Sequence, residues 1–185
     1  LFWPALAFMY ALALPSVIYL LLFAGLLLVY GSVMFSRVPL YLSSQKAWDA
    51  VAEWLPAERN FRFLDLGCGM GGILHYLDRR FPFGMFEGVE TAPLPFFVSW
   101  LRSRLQDAQF RVRYQDMWST DLSAYDVVYA YLSPQPMPRL WEKVKQEMRP
   151  GSVFISNTFC VPEVPPHETV ELHDMSGSTL YLWRL

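Results

Sequence analysis

Polar and apolar positions divide the chain into an uncharged head and a patterned body. Residues 1–36, LFWPALAFMYALALPSVIYLLLFAGLLLVYGSVMFS, carry no Lys, Arg, Asp or Glu, and every such residue lies at or beyond Arg37. In the body, SSQKAWDAVAEWLP (43–56) sets Ala47, Val51, Trp54 and Leu55 on one face behind a capping Ser43 or Ser44. That spacing predicts a helix ended by Pro56. FRFLDLG (61–67) predicts a strand entering a glycine turn, followed by a helix over 73–80. GMFEGVE (84–90) is the next strand, and 91–108 holds a helix beginning near Pro95. FRVRYQD (110–116) alternates as a half-buried strand does. YDVVYAYL (125–132) is more continuously apolar, the mark of a strand buried in a parallel sheet. PRLWEKVKQEM (138–148) reads as a helix closed by Arg-Pro-Gly, and SVFISNTF (152–159) as a fifth strand. TVELHDM and STLYLWRL then flank Ser176-Gly177, a hairpin signal. Strands alternating with helices predict an α/β, doubly wound, mostly parallel sheet, with the hairpin adding one antiparallel strand.

The head reads as a retained membrane anchor over 1–36. About 18 consecutive apolar residues suffice to span a bilayer, and 17–35 meets that alone. A cleaved signal peptide would carry a basic start and a shorter apolar core, and neither is present in these residues. One helix over the whole head would be roughly 54 Å long at 1.5 Å per residue, well beyond a hydrocarbon core of ~30 Å. The expectation is one main span at 16–36, with 1–14 forming a second embedded or surface-lying helix beyond Pro15.

The remainder, 37–185, fits a single domain. A net charge of −2 without a basic run argues against a nucleic-acid partner. Cys68 and Cys160 form no CxxC pair, and His75, His167 and His173 are scattered, so neither a metal site nor a disulfide framework is expected.

The chemistry concentrates at 65–72. Gly-Cys-Gly-Met-Gly-Gly satisfies the GxGxxG pattern of dinucleotide sites, a weak match on its own. Glycines there let the backbone approach a ligand at the carboxyl end of the first strand. Asp65 stands two residues before the first glycine, where a carboxylate repels a pyrophosphate and favours a cation. Glu90 ends the second strand, placed to accept hydrogen bonds from two ribose hydroxyls. Asp116 ends the third, where an acid can receive an adenine amino group. Three acids on successive strands, with no Lys or Arg in the glycine turn, suit a cationic nucleoside such as S-adenosylmethionine.

With these residues in hand, the chain resembles the class I, seven-strand methyltransferases of Rossmann-like fold. LDLGCGMGG looks like their first motif, GVE their second-strand acid, YQDMW their adenine-side motif and RPGSVFIS their fifth-strand entry. The resemblance implies cofactor contacts from Asp65, Gly67, Cys68, Gly69, Glu90, Thr91, Asp116, Met117, Trp118 and Tyr131. Met70 stands where many relatives have Asp or Ser, and no contact is assigned to it.

A closer likeness concerns the acceptor. An apolar head followed by VPLYLSSQKAWDAV, GVETAPLPFFVSWLRSRL, YQDMW and YLSPQPM resembles the membrane-anchored protein-lysine methyltransferases of mitochondria and bacteria. That resemblance implies methyl transfer to a lysine beside a bilayer, in subunit c of ATP synthase or, in one animal branch of the family, in the adenine nucleotide translocase, with subunit c the expected acceptor here and S-adenosyl-L-homocysteine as product. It places the protein in a bacterial inner membrane with a cytoplasmic catalytic domain, or in the mitochondrial inner membrane. Tyr131, Pro134, Trp118 and Tyr41 are the expected catalytic mouth. A lipid or quinone methyltransferase is the alternative enzyme, and a nucleoside-binding sensor the non-enzymatic one.

Overall fold

The computed structural model describes residues 15–36, 41–105, 108–174 and 177–185, with the side chains of all of these except 28–36. Helix α1 (Ser16–Ser36) opens the described chain. It is followed by α2 (Gln45–Glu53), β1 (Phe61–Leu66), α3 (Gly72–Arg80), β2 (Gly84–Glu90) and α4 (Pro93–Leu105). Strand β3 (Arg111–Tyr114), a 3-10 turn (Met117–Ser119), β4 (Val127–Ala130), α5 (Met137–Glu147), β5 (Val153–Asn157), β6 (Glu168–Glu171) and β7 (Thr179–Arg184) complete it.

The strands form one seven-stranded sheet in the order β3-β2-β1-β4-β5-β7-β6. Strands β1 to β5 run parallel, and β7 lies antiparallel between β5 and β6. The chain reverses direction across the sheet at β1, so the carboxyl ends of β1 and β4 flank the topological switch where such folds bind ligands. The expected hairpin is β6–β7; Ser176 lies outside the described residues, and Gly177 (φ +58°) supplies left-handed backbone in the connection.

Period-two alternation sends neighbouring strand residues to opposite faces. Phe63, Tyr129, Ile155 and Leu182 pack under α2 and α3, against Ala47, Val51, Leu74 and Leu77. Leu64, Val128, Phe154 and Trp183 pack under α5, against Met137, Leu140 and Val144. Burying such side chains stabilises each by about 1.5–3 kcal/mol, and this fixes the strand ends that build the site. Helix α4 packs along β3 on the α3 side of the sheet.

Three of the boundaries that differ from the sequence reading have a clear local reason. Helix α4 starts at Pro93, two residues before Pro95, because the first turn of a helix needs no N–H from proline. Its first helical hydrogen bond is donated by the Phe96 N–H to the Ala92 carbonyl at 3.0 Å. Strand β3 stops at Tyr114 because Asp116 caps the 3-10 turn. Strand β4 is shortened at its start because Tyr125 closes a turn onto the Leu122 carbonyl at 3.2 Å.

Helix α1 contains no charged residue and packs against α4. Its side chains are described only over 16–27, and among the described residues no helix is long and apolar enough to cross a membrane. The expected span over 16–36 runs past that stretch. Residues 1–14, expected as a second membrane helix, and Arg37 lie outside the described residues.

Candidate functional site

Strand β1 ends at Leu66, and the backbone turns through three left-handed glycines: Gly67 (φ +75°), Gly69 (φ +53°) and Gly71 (φ +70°). Side-chain-bearing residues pay roughly 1–2 kcal/mol for that conformation, which explains the glycine spacing. The turn lies tightly against β2. The N–H groups of Gly67 and Cys68 both donate to the Val89 carbonyl, at 2.9 and 3.0 Å. A Cβ at Gly88 would come within 2.7 Å of Cys68 Sγ and 2.6 Å of Leu74 Cδ1, so β2 must be bare there. This close approach brings the acids at the ends of β1 and β2 together.

Glu90 is 8% exposed and holds two turns at once. Its Oε2 accepts from the Gly69 N–H at 2.9 Å, while Oε1 accepts from the N–H groups of Thr91 and Ala92, each at 2.7 Å. A carboxylate offers about four acceptor positions, so one remains, on Oε2. The expectation of two ribose hydroxyls therefore needs an amide to give way for the second. Asp65 is 3% exposed, and no described residue donates a hydrogen bond to its carboxylate. Burial, and then the Glu90 charge, hold its carboxyl well above the usual carboxylate range. Two buried acids side by side, one without a donor, make a seat for a cation.

The other expected cofactor residues lie further along the same edge. Thr91 and Asp116 are exposed. Asp116 Oδ1 accepts from the Trp118 N–H at 3.0 Å, and its carbonyl anchors Ser119 and Thr120. Met117 and Trp118 pack partly against the α5-side core. The Arg139 guanidinium sits 4.0 Å from the centre of the Trp118 ring, covering one of its faces.

The strand ends of β4 and β5 carry an aromatic cluster. Tyr41 stacks on Tyr131, with ring centres 5.1 Å apart and planes at 22°. Phe159 joins them at 5.7 Å from Tyr41 and 6.3 Å from Tyr131. The structure thus brings Tyr41 and Tyr131 together as the mouth reading requires, leaves Pro134 exposed nearby in the chain, and puts Trp118 with Arg139 instead. Phe159 was not among the expected site residues. Its place just past the end of β5 was the signal that could have found it. Beneath the cluster, Tyr129 is fully buried and its hydroxyl accepts from Asn157 Nδ2 at 3.0 Å. Desolvation first, and then the Asp65 charge, push its phenol pKa up. Between Asn157 and Phe159, Thr158 adopts φ +69°, an uncommon conformation for a β-branched residue.

Comparison with known proteins decides what this edge belongs to. A family model described as the ANTKMT methyltransferase domain matches residues 65–168. The chain belongs to the ANTKMT methyltransferase domain family. The matched segment begins at Asp65, near the end of β1, and includes the glycine turn, Glu90, Asp116 and strands β2 to β5. Among solved structures, an RNA methyltransferase from Salinibacter ruber in complex with S-adenosyl-L-homocysteine is 25% identical, with a TM-score of 0.67, covering 78% of this chain and 93% of that one. A trans-aconitate 2-methyltransferase from Variovorax paradoxus is 28% identical over 116 residues, which is 61% of this chain and 44% of that protein. The secondary metabolism regulator laeA of Monascus pilosus is 28% identical over 102 residues, 54% of this chain and 27% of that protein. The chain thus spans between about a quarter and a half of the curated relatives it matches.

S-adenosylmethionine is the cofactor of this ANTKMT-family domain, and the residues present fit it. The glycine turn admits close backbone approach, the Asp65–Glu90 pair favours a positive charge, and Glu90 Oε2 retains an acceptor for a ribose hydroxyl. The GxGxxG match to a dinucleotide site fails on the same ground: two buried carboxylates would face a pyrophosphate.

Proposed function

We propose that this protein transfers the methyl group of S-adenosylmethionine to the ε-amine of a lysine in a membrane protein, with subunit c of ATP synthase as the acceptor. The observation that carries the reading is the Tyr41–Tyr131–Phe159 cluster, set at the carboxyl ends of β4 and β5 and joined in sequence to an uncharged helix. Tyr41 follows Ser36 by five residues. At no more than ~3.6 Å per residue the two lie within about 18 Å of each other. An acceptor lysine reaching this mouth would stand close to whatever surface holds the end of α1.

When bound, the cofactor supplies an electrophilic methyl group, and transfer to an amine depends chiefly on position. The chain's own residues supply the rest. A lysine ammonium has an unperturbed pKa of ~10.4 and must lose its proton before it can attack. Stacked aromatic rings at the mouth strip water from the ammonium and lower that pKa. The same ring faces attract a methylated ammonium by cation–π contact, worth roughly 0.5–2 kcal/mol, and so hold the side chain through successive transfers. Glu90 and Asp65 would hold the nucleoside beneath, and Asp116, through its second carboxylate oxygen, the adenine amino group.

In this reading α1, as part of residues 1–36, is the membrane anchor, and the catalytic domain faces the bacterial cytoplasm or lies at the mitochondrial inner membrane. Tethering raises the effective concentration of a neighbouring membrane substrate. The test incubates membranes with the protein and S-adenosylmethionine labelled on its methyl group. Label should enter a small, very hydrophobic protein and be recovered as methyllysine. Recovery of the label only in extracted lipid would overturn the lysine reading in favour of lipid or quinone methylation.

A further inference from the structure

An open groove of about 590 Å³ runs along the outer face of α3 between α2 and α4, from Gly72 at the start of α3 to Arg80 at its end. Its lining includes Trp48, His75, Tyr76, Arg79, Arg80 and Arg102. Arg80 is engaged: it lies 4.0 Å from Asp49 and donates to Tyr76 at 2.7 Å. Arg79 and Arg102 have no carboxylate partner among the described residues. The neighbouring Asp78 accepts from the Gln109 N–H at 2.9 Å. His75 Nδ1 is shut off from solvent without any hydrogen-bond partner. A buried polar nitrogen costs about 1–3 kcal/mol while it stays unpaired. Arg79 and Arg102 thus bring two guanidiniums to the groove with no carboxylate among the described residues to neutralise them, a charge that an oxyanion would complement.

The groove is continuous with an apolar surface. Arg102 belongs to α4, whose outer face presents Leu94, Phe97, Trp100, Leu101 and Leu105 to solvent, with Phe97 52% and Leu105 72% exposed. Leu94, Phe97, Leu101 and Leu105 recur at helical spacing, forming one stripe. Phe97 stacks on Trp100 at 6.0 Å, and the Arg104 guanidinium lies 5.8 Å from the Trp100 ring centre. An apolar stripe bearing an aromatic pair and edged by arginines is the pattern of a helix lying in the headgroup region of a membrane. The uncharged helix α1, whose Leu20, Leu21 and Leu26 are each more than half exposed, packs against this same α4.

We propose that the groove binds the phosphate of an anionic phospholipid through Arg79 and Arg102, while the outer face of α4 lies in the bilayer surface. One lipid molecule would then give the catalytic domain a second hold on the membrane and fix its tilt. The site stands apart from methyl transfer and requires no acceptor lysine, so its test is independent of the proposed function.

The test uses the full chain in an uncharged detergent and titrates short-chain phosphatidylglycerol, short-chain phosphatidylcholine and inorganic phosphate by calorimetry. At roughly 1 kcal/mol for each arginine beside an anionic headgroup, two arginines correspond to a preference of about thirtyfold. Phosphatidylglycerol should bind about that much more tightly than phosphatidylcholine. The double variant Arg79→Gln, Arg102→Gln should bind both lipids alike while retaining its affinity for S-adenosylhomocysteine, which verifies the fold. Equal affinity for the two lipids in the unaltered protein would sink the proposal, as would a double variant that keeps the preference. Inorganic phosphate binding as tightly as phosphatidylglycerol would assign the groove to a free anion and remove the lipid.

Discussion

Replacing Glu90 by glutamine tests the central joint of the site, because the change preserves shape and removes charge. The carboxylate accepts three backbone amides, two on Oε1 and one on Oε2. A glutamine keeps only one acceptor oxygen. With that oxygen facing Thr91 and Ala92, its amide nitrogen opposes the Gly69 N–H, donor against donor. One charge-assisted hydrogen bond, worth about 1.5–3 kcal/mol, is lost, and the two that survive become neutral and weaken to roughly half. Removing the charge beside Asp65 returns part of this, since Glu90 contributes to the raised Asp65 pKa. The net expectation is a loss of about 2 kcal/mol. For a chain of this size that lowers Tm by roughly 4–8 °C, at 2–4 °C per kcal/mol. If Glu90 holds a ribose hydroxyl, as the proposed function has it, the loss of charge should weaken S-adenosylhomocysteine binding by about 10- to 150-fold, the same 1.5–3 kcal/mol expressed as affinity. Thermal unfolding followed by circular dichroism, with and without S-adenosylhomocysteine, reads both effects. A Glu90→Gln protein that melts within a degree of the parent and keeps its ligand-induced stabilisation would refute the account of this joint.

The other acid should behave oppositely. Asp65→Asn removes a buried acid that receives no hydrogen bond from any described residue, so the ligand-free protein should melt higher at pH 7 while binding S-adenosylhomocysteine more weakly. Because burial raises the folded-state pKa, the unfolded chain releases its proton first, and the parent loses stability as pH climbs from the ordinary carboxylate range towards the raised value. The advantage of Asp65→Asn should therefore shrink to nothing near pH 3 and grow on the way to neutrality; a difference in Tm independent of pH would contradict this. Gly88→Ala sets a methyl group 2.7 Å from Cys68 Sγ and 2.6 Å from Leu74 Cδ1. It should destabilise by about 1–3 kcal/mol, the usual cost of overpacking, as measured by urea unfolding. Phe159→Ala opens the aromatic mouth. Under the proposed function it should raise KM for the acceptor while leaving S-adenosylhomocysteine affinity unchanged, and a shift in cofactor affinity alone would remove Phe159 from the acceptor side.

The local periodicities were enough to locate the strands and helices of the catalytic body, because apolar alternation in β1 and β2 and the Ser44 cap of α2 act within a few residues. The glycine turn and its two acids were also readable, since positive φ and buried charge restrict residue type strongly. The aromatic mouth was half legible. Tyr41 and Tyr131 are separated by ninety positions, and only the crossing of 41–44 over the ends of β4 and β5 brings them into contact. Trp118 looked equivalent in sequence, but Arg139 one helix away holds its ring. The triple grip of Glu90 on backbone amides was invisible, because main-chain donors leave no mark in a sequence. The groove beside α3 escaped for a related reason: Arg79 and Arg80 read as ordinary charges closing a helix, and Arg102 joins them only through packing.

Cys68 gives this molecule a built-in gauge of its own opening. The thiol is 7% exposed, wedged where Gly88 leaves room, and burial pushes its pKa well up. A thiolate accessible to alkylating reagents can form there only when the glycine turn opens away from the second strand. The exposed Cys160 reacts without any such excursion. The ratio of the two labelling rates therefore measures how often the glycine turn opens.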